Sequence, residues 1–317
     1  MPELPSVERG RRLLEEYLVG KQVSEVHALE SGGGPREGLY DDLVFKKNVH
    51  DEVVLALQGR TITASRRKGK YLWLSMGDKG TKTVKRGRKR KRVGPNRYRD
   101  VCFHFGMTGN VKIKGVKQRE YAREKKQIGE QWPPKFSKLT MKMNDGTEFA
   151  FTTPRRIARI SFHESIEDEE PVSKLGFDPL TGMLSLRKFK DCILKLKGNV
   201  KKNLLDQSFI CGIGNWICDD VLFASSIHPS KQCMDLRDDE IKRLHKSIVN
   251  IVEKACKVNA DKTLFPTKWL FHYRWTKAKA GVKYPPLNKT IKFIKVAGRT
   301  TAIIPDIQKL GKKRISK

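Results

Sequence analysis

The spacing of apolar residues changes once along this chain, and that change constrains the fold more than any other feature. From Val23 to about His163 apolar residues alternate with polar ones, as in strands half-buried on one face. Val23 and Val26, Thr61–Thr63, Tyr71–Leu74, Val101–Phe105 and Leu139–Met143 all carry this period of two. Asp145-Gly146, set between Leu139–Met143 and Phe149–Phe151, is a hairpin signal. An amphipathic helix, Glu8–Leu18, precedes the strands. From Ser185 onward the period becomes helical. Ile241, Leu244, Ile248, Ile251 and Ala255 form one apolar helix face, and Asp238, Asp239 and Glu240 stand at its start, where the macrodipole favours acids. Thr290–Val296 and Thr300–Ile304 read as a last hairpin. Strands first and helices later predict an α+β chain of two domains, and 317 residues are enough for each to bury a core.

Charge narrows the partner. The chain has 66 Lys and Arg against 35 Asp and Glu, a formal net charge of +31. This excludes an enzyme for small cations and points to a polyanion, nucleic acid before an acidic membrane. Residues 77–99 carry +10 and residues 309–317 carry +5, which leaves +16 on the remainder. The folded part is therefore basic in its own right. Within the first segment Lys85–Arg92 reads as a nuclear address or a nucleic-acid arm, against the plainer reading of a solvated loop. Lys112–Lys126, mixed with Glu120 and Glu124, reads as a charged loop or insert. The acidic, turn-rich run Glu164–Leu180 suits an interdomain linker. The six cysteines form no Cys-x-x-Cys pair, so reduced thiols are expected, with no zinc or disulfide framework. No transmembrane or secretory segment is read.

Four constellations carry chemistry. In Met1-Pro2-Glu3-Leu4-Pro5, removal of Met1 leaves Pro2 with a free secondary amine. An α-amine has a pKa near ~8, well below a lysine's, so part of it is unprotonated at neutral pH. Such an amine attacks aldehyde carbon to form a Schiff base, and Glu3 beside it can donate and accept protons. An ordinary N-terminus is the plain alternative. Lys70 sits at a strand mouth in Arg66–Leu74, where a solvated charge is the plain alternative. Val200–Gln207, the turn Gly212-Ile213-Gly214-Asn215, and Trp216–Ser226 read as helix, tight turn, helix. Asn215 is expected to cap the second helix, with Lys201 nearby, as a phosphate site; a plain helical hairpin is the alternative. Gly298-Arg299-Thr300-Thr301 places an arginine at a hairpin turn.

Together, and in this order, these segments resemble the formamidopyrimidine-DNA glycosylase (Fpg/Nei) family over nearly the whole chain. Further matches are His104-Phe105-Gly106-Met107-Thr108-Gly109, Pro154-Arg155-Arg156, Leu175–Leu180 and Ile227-His228-Pro229. The resemblance implies an N-terminal antiparallel β-sandwich flanked by helices (residues 1–165, basic insert 77–99) and a linker (166–180). A helical domain with a helix–two-turn–helix follows (181–317), with a finger hairpin at about 285–308 and a basic tail at 309–317. The resemblance implies that DNA would lie in the cleft.

The implied activity is a base excision repair glycosylase with abasic-site lyase action on double-stranded DNA, working as a monomer in the nucleus, without cofactor, metal or membrane. Pro2 would attack C1′, Glu3 would move protons, and Lys70 and Arg299 would complete the catalytic set. Met107 and Arg155 would fill the gap left by the extruded nucleotide. Arg156, Lys201, Asn215 and Arg299 would contact DNA. Three departures from the family pattern stand out. Ser6 replaces a glutamate, and is read as a helix cap. Ile157 replaces a phenylalanine. Ile304 and Ile307 stand where the bacterial members have their second zinc-binding cysteine pair, resembling the zincless finger of the plant and fungal branch, as do Phe265–Trp275 and Gly298–Ala302. The segment from Asn259 to Tyr273 is short, which predicts weak 8-oxoguanine activity and favours formamidopyrimidines, hydantoins and abasic sites. A damaged-DNA binder without turnover is the alternative. A basic RNA- or ribosome-binding protein accounts for the charge but not for Pro2, Glu3, Lys70 and the glycine turn together.

Overall fold

A computed structural model of the chain describes residues 2–46, 48–77, 97–117, 131–275 and 282–310. It divides into two units. One holds Pro2 and Ser6–Lys174; the other holds Glu3–Pro5 and everything from Leu175 on. The basic run Lys85–Arg92 and residues 311–317 lie outside the described residues.

The first unit is built on two four-stranded antiparallel sheets. One has the order β1 (Val23–His27), β6 (Ser137–Met143), β7 (Glu148–Thr152), β5 (Asn110–Ile113). The other runs β2 (Ile62–Lys68), β3 (Tyr71–Met76), β4 (Asp100–His104), β8 (Arg159–His163). Alternation places Leu72, Leu74, Val101 and Phe103 of one sheet against Leu139, Met141, Phe149 and Phe151 of the other, all buried. The rings of Phe103 and Phe151 lie 5.2 Å apart. Burying each such side chain contributes about 1.5–3 kcal/mol. Helix α1 (Leu4–Leu18) adds Val7, Leu14 and Leu18 to this core, and the short helices α2 (Asp42–Phe45) and α3 (His50–Leu57) add Val44, Phe45, Val53 and Leu57. The expected β-sandwich is present. Strand β5 was not expected: Val111 and Ile113 point inward, but Lys112 between them made the stretch read as a charged loop.

The second unit carries α4 (Leu186–Ile193), α5 (Val200–Leu205), α6 (Asn215–Ala224) and α7 (Asp238–Lys257). Ser185 and Asn199 cap α4 and α5 with their side-chain oxygens. The apolar stripe of α7 is buried as its spacing predicts. A two-residue pair, β9 (Lys283–Tyr284) with β10 (Lys289–Thr290), precedes the hairpin β11 (Lys292–Val296) and β12 (Arg299–Ile303). Ala297 and Gly298 both have positive φ, 51° and 70°, the signature of a type I′ turn. The six cysteines are free thiols. Among the described residues no helix is long and apolar enough to cross a membrane.

Candidate active site and nucleic-acid interface

In the second unit the N-terminus of α6 is organised around Glu3. Its Oε1 accepts the backbone N–H of Trp216 (2.9 Å), and its Oε2 accepts those of Gly214 (2.9 Å) and Ile217 (3.1 Å). A carboxylate on the free N–H groups of a helix start is favoured by hydrogen bonding and by the helix dipole. The glycines of the turn make the approach possible. A β-carbon on Gly214 would lie 2.3 Å from the Glu3 carboxyl carbon, and one on Gly212 would lie 2.5 Å from the Leu4 side chain. Gly212 also has φ +93°. Pro2 directly precedes this carboxylate in the chain, half-buried.

Glu3 therefore takes the capping role expected of Asn215. Asn215 is the first helical residue, not the cap. Its Nδ2 donates to the Thr300 carbonyl (2.9 Å), tying the helix start to the residue after Arg299, while its Oδ1 is buried without a hydrogen-bond partner. Ser6 does not cap α1 either. The helix starts two residues earlier, and the Ser6 Oγ is buried without a hydrogen-bond partner.

Lys201, expected on a phosphate, is fully buried. Its ammonium pairs with Asp219 of α6, and both side chains have 0% exposure. The other Asp219 oxygen accepts from the Arg274 guanidinium (2.7 Å) and from the Ala302 N–H of β12 (3.1 Å). Lys201 is thus an internal strut joining α5, α6, Arg274 and the finger hairpin. A charge this deep needs a partner, and Asp219 is that partner. Beside it Asp220 accepts the Phe271 N–H, and burial pushes its carboxyl up to about 8. Arg299 is exposed at the start of β12. Around the hairpin, Ile304 is buried with Leu270, Tyr284, Ile291 and Ala302, and Ile307 packs against them. Gln308, missed by the pattern reading, closes this end: its Oε1 accepts the Ile304 N–H (3.1 Å) and its Nε2 donates to the Ile227 carbonyl (3.0 Å). No group of three or more His, Cys, Asp or Glu side chains among the described residues is arranged to hold a metal ion.

In the first unit Lys70 lies in the two-residue turn Gly69-Lys70 between β2 and β3. That turn is anchored by Arg67, buried beneath it. Its Nε donates to Glu8 of α1 (3.0 Å) and its NH1 to the Gly69 carbonyl (3.1 Å). Burial alone would raise the Glu8 carboxyl, but hydrogen bonds from Arg11 and Arg67 hold it below the usual range. Glu8 and Arg67 were not singled out from the sequence. His104 faces Tyr71 across the strand pair, ring centroids 4.8 Å apart. Burial, helped by the positive charges of Lys70, Arg159 and Lys46, pulls the His104 imidazole down to about 4. The imidazole is therefore neutral at physiological pH.

Two loops then meet. Met107 is 41% exposed and Ile157 38% exposed, and Arg155 is exposed beside them. Gly106 has φ +55°, and a β-carbon there would lie 2.4 Å from the Ile157 carbonyl oxygen. Only glycine lets the Met107 turn pack against the Arg155–Ile157 loop so closely. Arg156 does not join them at the surface. Its Nε and NH2 donate to the two oxygens of Asp41 (2.8 and 3.0 Å). Burial would raise the Asp41 carboxyl, but Arg156 and Lys138 hold it below the usual range.

The N-terminal domain model of formamidopyrimidine-DNA glycosylase matches residues 1–160, and the H2TH domain model of the same enzyme matches residues 175–267. A formamidopyrimidine-DNA glycosylase of Arabidopsis thaliana is 36% identical over 98% of this chain and 71% of its own length. One from Lactococcus lactis subsp. cremoris is 28% identical over 97% of this chain and 99% of its own. The solved wild-type Lactococcus lactis Fpg (MutM), in complex with DNA containing an oxidised pyrimidine, superposes with a TM-score of 0.70 at 25% identity, over 97% of this chain and 100% of that one.

Proposed function

Because the chain belongs to the formamidopyrimidine-DNA glycosylase family, we propose that it is a base excision repair enzyme that removes oxidised bases from duplex DNA and then cuts the strand. The observation that carries this reading is the Glu3 carboxylate, fixed by three backbone N–H groups one residue after Pro2.

With Met1 removed, the Pro2 nitrogen attacks C1′ of the damaged nucleotide. The C1′–N bond to the base breaks, and the base leaves with its bonding electrons and a proton. Glu3 handles the protons as the sugar ring opens to a Schiff base. That iminium acidifies the neighbouring C–H, so β-elimination and then δ-elimination expel the two phosphates. Lys70 and Arg299 contact the phosphates or protonate the departing groups. Met107 and Arg155, with Ile157, occupy the gap in the duplex; extrusion costs a few kcal/mol and this contact offsets it. Asn215 holds the Arg299 hairpin to the start of α6, and Lys201 stiffens the same junction from inside. Formamidopyrimidines, hydantoins and abasic sites are the preferred substrates, with weak action on 8-oxoguanine. The finger works without zinc, held by Ile304, Ile307 and Gln308. The basic run Lys85–Arg92 directs the protein to the nucleus.

Borohydride trapping on an abasic-site duplex tests the proposal. The wild type is expected to form a covalent adduct, and Pro2→Gly to form none. Mass spectrometry of the wild type should show Met1 absent. A wild type that binds the duplex but traps nothing is a damaged-DNA binder without turnover, the outcome that the replacement at Ser6 would favour.

A further inference from the structure

Lys138 of β6 is enclosed between two carboxylates of the first unit. Its ammonium contacts Glu30 and Asp41 (2.8 Å to Asp41), and all three side chains are 1% exposed. Gly34 leaves the space for Glu30, since a β-carbon there would lie 1.9 Å from its Oε1. Asp41 passes the chain outward through its two hydrogen bonds with Arg156. Glu30, Lys138, Asp41 and Arg156 together carry no net charge, so removing any one leaves a buried charge uncompensated. Apolar residues of the same volume often hold a fold as well as a buried ion pair does, so the distinctive thing this arrangement supplies is direction. The direction is needed at Arg156, which has φ +54°, a backbone state that a residue with a β-carbon rarely adopts. Its neighbours on either side, Arg155 and Ile157, are exposed, and the Ile157 carbonyl lies against the Met107 turn at Gly106.

We infer that the Glu30–Lys138–Asp41–Arg156 chain is a positioning device that locks the 154–158 loop in the conformation able to enter the duplex, with Arg156 a positioning residue and not a phosphate contact. The inference rests on the reading that this loop fills the gap left by an extruded nucleotide. A prelocked loop inserts without first being ordered, so the chain acts on insertion and leaves phosphate affinity alone.

The test needs no turnover. A duplex carries a tetrahydrofuran abasic analogue with 2-aminopurine opposite it, whose fluorescence reports side chains entering the stack. The full-length wild type should give a fluorescence change that Arg155→Ala reduces. Asp41→Asn and Arg156→Gln should both cut it by roughly tenfold at saturating protein, with duplex affinity held within about twofold and an unchanged salt dependence. Asp41→Glu should restore part of it, and Asp42→Asn, on an exposed carboxylate 3.6 Å from Arg156, should leave it intact. Arg156→Gln, at a half-buried side chain, keeps the test open if Asp41→Asn does not fold. Asp41→Asn leaving the signal unchanged, or tightening binding while Arg156→Gln weakens it, would make Arg156 a phosphate contact and overturn the inference. A wild type that gives no fluorescence change, or an Arg155→Ala that keeps it whole, would remove the gap-filling reading and this inference with it. Neither outcome touches the borohydride result, which stands or falls on Pro2.

Discussion

His104 shows how far a single residue can be set by its surroundings. Burial and the charges of Lys70, Arg159 and Lys46 bring its imidazole from 6.5 to about 4. Between those two values the unfolded chain binds a proton at this position that the native chain does not. Its contribution to stability is therefore fully present above pH 6.5 and is lost as pH falls toward 4, a difference of about 3 kcal/mol for the full shift. His104→Asn should flatten the acid limb of a melting-temperature profile between pH 6.5 and 4.5. Parallel profiles for the two proteins would mean that His104 titrates as an ordinary histidine. At neutral pH the imidazole is uncharged although Lys70, Arg159 and Lys46 act on it.

At the scale of elements, the finger hairpin is the sharpest case. Its end is held by the burial of Ile304 and by both polar atoms of the Gln308 amide. Ile304→Ala should cost about 2–4 kcal/mol in chemical denaturation, while a chelator should leave the wild-type melting temperature unmoved. Chelator sensitivity would show that a metal holds the finger. Elements of this kind were legible from sequence wherever the signal is local. The stripe on α7, the Asp145-Gly146 hairpin and the β-branched pair flanking Gly298 all depend on residues within a few positions of one another. Strand β5 was hidden because its outward lysine sits in a basic run. The candidate site was legible as a set of residues but not as a set of partners. Glu3 caps a helix 211 positions away, and Arg156 finds Asp41 at a separation of 115, distances over which no periodicity carries information. One signal was available. Asp219 and Asp220 are adjacent acids inside an otherwise apolar helix, and a buried acid needs a buried cation or a proton. Lys201 and Arg274 supply the first, and the raised Asp220 carboxyl is the second.

For the whole molecule, a net charge of +31 is a weak guide to which cations meet DNA. Two kinds of basic side chain with opposite surroundings stand among the described residues. Arg67, Lys138, Lys201 and Lys231 are buried against Glu8, Asp41, Asp219 and Glu240, so they add to the number of basic residues but not to the net charge, and little to the external field. Arg299 and Arg155 are exposed. Counterion release separates the two kinds, because only a cation that neutralises a phosphate changes the slope of log K against log salt, by about 0.9 per contact on duplex DNA. Arg299→Ala should lower that slope by about 0.9 and weaken binding on every sequence alike. Lys201→Ala should leave the slope where it is and instead lower stability by about 2–4 kcal/mol, since it leaves a cavity and takes the donor from one Asp219 oxygen while Arg274 still pairs with the other. Lys201→Met, which fills the same volume, should recover the packing part of that loss but not the part due to the unsatisfied Asp219 oxygen. A Lys201→Ala protein that melts like the wild type but loses one unit of salt slope would return Lys201 to the DNA surface.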